Sequence, residues 1–244
     1  AAPAPPPPPV GPSGAVAGGR AFNPDISVIG NFLAVAGPSR FTTEPVFELT
    51  EAEAAFQAVV GPYARADFFV AVGPDGAELE EGFITFTSLP ANLLLKAGKI
   101  RAQFGKVSVL HTHRLPTADR PLVAVNLLGG EEGLADNGVS LSHLIQNPLV
   151  FLELTGEVFA GRSGVFQSTE RARLAYAGRV RAYRDLTEST NLDLGSSFAF
   201  GPFLPEGPGE AGDPAAPVPE ALDRRLVGVD VTLRYRPLQG TTYR

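Results

Sequence analysis

The chain contains no cysteine, no tryptophan and only three histidines. Without thiols, disulfides, thiolate metal sites and cysteine nucleophiles are excluded, and the absence fits an oxidising compartment. His111, His113 and His143 leave little for a metalloenzyme. His111 and His113 can present two imidazoles from one face of a strand, but catalytic zinc takes three protein ligands, so no metal is expected. Positive charge is also scarce: 20 Lys and Arg stand against 26 Asp and Glu, for a net charge of −6. Nucleic-acid binders carry a concentrated basic footprint, so no nucleic-acid partner is expected. No apolar run approaches the ~20 residues of a transmembrane helix. No G-x-S-x-G, P-loop or G-x-G-x-x-G occurs, and no catalytic residue or cofactor is expected.

What is plentiful is glycine and proline, 27 and 23 residues, which disfavour long helices. With 44% hydrophobic and 19% charged residues, the composition is that of a folded chain. Residues 1–21 stand apart. Six of the first nine residues are proline, which favours polyproline II followed by a flexible Gly/Ala stretch. The stretch lacks the basic and apolar regions of a signal peptide, and its Ala-Ala start matches what signal cleavage leaves.

From residue 22 onward the pattern is one strand after another. Ala175, Ala177, Arg179 and Arg181 alternate with Tyr176, Gly178, Val180 and Ala182 in a segment read as running from Arg171 to Tyr183. Successive strand residues face opposite sides, so that segment has one basic and one apolar face. Leu149 to Phe159 sets Leu152, Leu154 and Val158 against Glu153, Thr155 and Glu157. Leu226 to Arg236 sets Val227, Val229, Val231 and Leu233 against Asp230, Thr232 and Arg234. Leu94, Ile100, Ala102 and Phe104 are read as an apolar face opposing Lys99, Arg101 and Gln103. With similar segments elsewhere, about ten strands are expected.

These strands are long, where soluble ones usually have about 5 or 6 residues and tilted membrane strands about 9 to 11. Connections alternate: short at Gly61-Pro62, Leu89-Pro90-Ala91, Gln146-Asn147-Pro148 and Leu186-Thr187-Glu188, longer at Gly37 to Pro45, Lys106 to Gly133, Ala160 to Thr169 and Gly201 to Asp223. Gly73 to Gly76 breaks the rule by being short. This is the layout of an outer-membrane barrel, with lipid outside and a wet lumen inside. The fold class expected is all-β, an antiparallel up-and-down transmembrane β-barrel occupying residues 22–244. The long connection 106–133 contains one segment, Pro121 to Leu128, that reads as a short helix or packed apolar rope.

The run Leu95 to Gly105 (LKAGKIRAQFG), the segment His111 to Leu128 and Gly138-Val-Ser together resemble the strand–loop–strand core of phosphate-selective-type porins and related outer-membrane channels. The opening Asn23 to Gly30 (NPDISVIG) is similar to first strands of that group. The resemblance implies a barrel, commonly of about 16 or more strands, with a long loop folded into the lumen; the alternative for this loop is an extracellular cap that never enters the pore. This sequence departs from it with ten strands and a Tyr243-Arg244 ending. Pro237 to Gly240 reads as a turn entering a further strand, which favours the N-terminal portion of a larger barrel over a small closed one.

On that reading the pore wall carries Lys99, Arg101, Glu153, Glu157, Arg171, Arg173, Arg179, Arg181, Asp230 and Arg234, with Arg114 and Arg120 from the loop. A ladder of guanidinium groups would attract anions. The alternative is that Glu153 and Glu157 on the neighbouring strand neutralise it. Asp75, Glu78, Glu80, Glu81, Glu131 and Glu132 are read as solvated rim charges. The function expected is a channel for small hydrophilic solutes in the bacterial outer membrane, with weak anion preference. The alternative is a structural or interaction barrel of an envelope assembly. Expected partners are outer-membrane lipid, a homo-oligomer or envelope partner, and a periplasmic partner for the Pro-rich tail, whose bland alternative is a tail that binds nothing.

Overall fold

The computed structural model describes residues 24–38, 46–73, 76–117, 120–130, 133–205 and 222–236. The tail 1–21, Asp75, Glu131, Glu132 and the turn at 237–240 lie outside them. Ten strands form one antiparallel sheet in strict chain order: β1 (Asp25–Ala34), β2 (Phe47–Gly61), β3 (Ala64–Gly73), β4 (Gly76–Phe86), β5 (Leu93–Arg101), β6 (Ala135–Ile145), β7 (Phe151–Phe159), β8 (Ala175–Thr187), β9 (Thr190–Phe203) and β10 (Leu222–Tyr235). The up-and-down order expected from the alternation is therefore present. Among the described residues β1 pairs only with β2 and β10 only with β9, so the sheet is not closed into a barrel.

Turn chemistry separates the two ends of the sheet. At the short-turn end, Asn147 Oδ1 accepts hydrogen bonds from the backbone N–H groups of Leu149 and Val150, at 3.1 and 2.9 Å. Its side chain mimics a backbone turn next to Pro148. At the opposite end, the β5–β6 connection carries the one α-helix of the described residues, α1 (Leu122–Leu127), started by Pro121. Proline's fixed φ suits a helix start.

The sheet is curled, as simple reach arithmetic shows. The backbone N–H of Gly105 donates to Ser197 Oγ on β9 at 2.9 Å. Six residues later, His111 Nδ1 lies 3.0 Å from Glu53 on β2. Fully extended, six residues span ~21 Å. Residues 105–110 are turn and bend and span far less, so even with the side-chain arms at each end they fall short of the ~34 Å between β2 and β9 in a flat sheet. Only a strongly concave sheet brings both within reach of one short segment. The loop therefore lies inside the trough and crosses it.

The two faces differ as the alternation demands. The concave face buries Asp67, Ser140, Thr155, Glu157, Arg179, Asp193 and Ser197, polar groups that an ordinary core excludes. The convex face is apolar and bare: Val227, Val229, Val231 and Leu233 are 81, 75, 65 and 65% exposed. One apolar cluster does lie inside. Phe104, Leu128 and Leu134 from the loop region pack with Phe159, Phe166 and Ala175. Ile100, Ala102 and Phe104 belong to it, which corrects their reading as an outward face. β5 ends at Arg101, and the chain leaves the wall there and turns into the trough.

Candidate functional site

A cavity of about 460 Å³ lies on the β2–β7 side of the trough, walled by Glu53, Glu81, Arg101, Glu153 and Glu157 and roofed by His111 and His113. Its charged centre is built around His111. One imidazole nitrogen, Nδ1, bonds Glu80, and Nε2 bonds Glu81 Oε2 at 2.9 Å. The guanidinium of Arg101 lies 3.1 Å from Glu80, and its backbone N–H donates to Glu81 at 2.9 Å. Burial alone would discharge His111, but the hydrogen bonds to Glu80 and Glu81 outweigh it and push the imidazole up to about 9. It is therefore a cation at neutral pH and anchors the loop to β4.

Glu80 and Glu81 are not solvated rim charges; each side chain is only 12% exposed. A β-bulge is the cause. Phe69 pairs with Glu81 while Val70 pairs with Leu79, leaving Glu80 as the extra residue. An extra residue breaks the two-residue period, so two consecutive side chains reach the cluster. The ring of Phe69 closes over His111 at a centroid distance of 4.9 Å.

The far side of the loop is fixed to the other wall. Gln103 N–H donates to Glu157 Oε2 at 2.8 Å, and Lys106 Nζ reaches Asp193 at 3.4 Å. Behind this contact runs an ion-pair network. Arg181 grips Asp193 through two hydrogen bonds at 2.9 and 2.8 Å and lies 3.9 Å from Glu153. Arg179 donates to Ser197 at 3.1 Å and to Asp230 at 2.8 Å.

The residues read as pore lining divide accordingly. Arg101, Arg114, Glu153 and Glu157 line the cavity, and Arg179, Arg181 and Asp230 form the adjoining network. Arg171 and Arg173 are off the wall, because β8 begins at Ala175; Arg173 pairs with Asp223 at 2.8 Å. Lys99 shares its register row with Gly82 and the outward-facing Phe68, and bonds Glu78 at 3.1 Å and the Leu79 carbonyl at 2.6 Å. Arg120 is buried within the loop, where it donates to the carbonyls of Val107 and Leu110. Arg234 is exposed near the end of β10. The four-arginine ladder thus reduces to two wall residues, each matched by carboxylates.

His111→Gln removes the charged anchor and leaves two acidic side chains facing a neutral one. The loop should then detach from β4, and limited proteolysis should cut within 106–117 at least several-fold faster than in the wild type. Equal rates would show that the apolar cluster alone holds the loop.

No family model matches the chain, and no solved structure matches it. It is 29% identical over 201 residues to a protein of Aquifex aeolicus (strain VF5) described as uncharacterized. The alignment takes in 78% of this chain and 42% of that relative, so the chain spans less than half the relative's length.

Proposed function

We propose that the chain forms wall of a β-barrel channel for small hydrophilic solutes in the bacterial outer membrane, with loop 106–133 as its constriction. The observation that carries the reading is the two-faced sheet: charged and polar groups in the trough, and bare valine and leucine on the back of strands 9 to 15 residues long. An apolar face of this extent in water would drive aggregation, whereas lipid solvates it. No helix of the described residues is long and apolar enough to cross a membrane, so any crossing is made by strands. Backbone groups at a free edge are not tolerated in lipid. Closure therefore takes further strands, or a second copy, pairing with β1 and β10.

The pairing of Arg179 and Arg181 with Asp230, Asp193 and Glu153 favours a neutralised wall over an anion path. Across a KCl gradient in planar bilayers, we expect discrete conductance steps with a reversal potential close to zero. A strong anion preference would restore the ladder reading. Absence of conductance would favour the alternative of an envelope scaffold, which the apolar cluster filling part of the trough supports.

A further inference from the structure

Beside the His111 anchor, three polar atoms are left over. Glu51 Oε1, Glu53 Oε2 and His113 Nδ1 are shut off from solvent, and none takes part in a hydrogen bond. Glu53 is 95% buried as a side chain, being 5% exposed, and His113 is 14% exposed. Glu53 Oε2 lies 3.0 Å from His111 Nδ1, but that nitrogen's single hydrogen goes to Glu80. Leaving a buried carboxylate oxygen without a donor is costly, and here two carboxylates and an imidazole share the defect.

The local charge points to what would resolve it. Glu80 and Glu81 are answered by the Arg101 guanidinium and by the two ring nitrogens of His111. Among the described residues no lysine or arginine pairs with Glu51 or Glu53. Glu53 has only the imidazoles of His111 and His113, at 3.0 and 3.4 Å, so two carboxylates converge on His113 without a guanidinium or ammonium beside them. The geometry agrees. One donor atom from each of Glu51, Glu53 and His113 lies within 4.8 Å of the others. Two ligands ~2.1 Å from a tetrahedral ion sit roughly 3.4 Å apart, and His113 Nδ1 is 3.4 Å from Glu53 Oε2. We propose that Glu51, Glu53 and His113 bind one divalent cation of the zinc class, which ties the loop to β2. Three donors are too few for calcium, which takes six to eight oxygens, and an imidazole favours zinc-like ions over magnesium. The adjoining cavity leaves room for water to complete the coordination. The sequence hid this site because Glu51 and Glu53 alternate on β2 as ordinary inward strand residues, and the third ligand comes from a loop some sixty positions away.

The inference rests on the fold and not on conduction, so a chain that binds the ion but conducts nothing leaves it standing. The full chain, folded in detergent micelles and stripped with chelator, is titrated with zinc chloride in a calorimeter. One ion per chain is expected, with affinity weakened more than about tenfold in Glu51→Gln and in His113→Ala, since loss of a ligand exceeds the effect of losing a supporting hydrogen bond. Circular dichroism matching the wild type shows that these variants keep the sheet. Should either fail to fold, the visible spectrum of the wild type with cobalt chloride decides: intense tetrahedral bands support the site, and the weak spectrum of hydrated octahedral cobalt overturns it. No zinc binding, or binding unchanged in both folded variants, also overturns it.

Discussion

Arginine in place of Val231 is expected to cost about 2 to 4 kcal/mol of folding stability in bilayers, the largest effect of any single convex-face substitution considered. Val231 lies mid-strand on β10, 65% exposed, and its register partner Leu194 on β9 is also bare, at 42%. In water, a guanidinium at so exposed a site would be nearly neutral. In lipid it must be desolvated or pull water and headgroups inward. Thr232→Arg, one residue along and on the concave side, is the control and should cost far less. Urea titration of both variants folded into phospholipid vesicles makes the comparison. Equal stability of Val231→Arg and the wild type would mean that this face does not meet lipid.

Asp230→Ala should destabilise the sheet by about 3 kcal/mol. Arg179 is 6% exposed as a side chain, and its charge is answered by Asp230 at 2.8 Å across the intervening strand β9. Removing the carboxylate leaves a buried guanidinium with only Ser197. The strand between them is shaped for the pair: a Cβ at Gly195 would sit 2.3 Å from both Arg179 Nη2 and Asp230 Oδ2. Gly195→Val should therefore disrupt the same contact without touching either charge. The double variant Arg179→Met, Asp230→Leu should recover most of the loss, because replacing both partners removes the unpaired charge. Denaturant midpoints of the three variants read the effect. Full stability of Asp230→Ala would show that water reaches Arg179.

The strands were legible because their chemistry has period two and little interrupts it. Even Ala77 to Ser88, with its acidic run, falls within two residues of β4. The failures are places where period two stops meaning strand. Arg171 and Arg173 alternate with Ala172 and Leu174 but precede β8, in a turn that follows Ser168. Ile100 is still within β5 but on its buried side, opposite Asp136, and Ala102 and Phe104 continue the alternation past the end of β5, where the chain has already left the wall. Glu80 owes its position to a bulge whose only trace in sequence is a pair of adjacent glutamates. The site itself was less visible still. His111 meets Glu80 and Glu81 from 31 and 30 positions away, and Arg179 meets Asp230 from 51. Strand order can be read from local pattern, but such pairings depend on how tightly the sheet curls, which only the long-range packing of the loop sets.

The central claim is that the convex face meets lipid and the trough meets water. Because the chain has no native cysteine, single thiols report on it cleanly. Val180→Cys and Val229→Cys place a thiol on the convex face, and Gln57→Cys and Ser142→Cys place one in the cavity wall. In phospholipid vesicles, the account expects a charged, membrane-impermeant maleimide to label the two cavity positions. The two convex positions should resist it, and an apolar fluorophore attached there before folding should be quenched by nitroxide-labelled lipid chains. Rapid labelling of Val180→Cys and Val229→Cys by the charged reagent, with no quenching by lipid, would contradict the account.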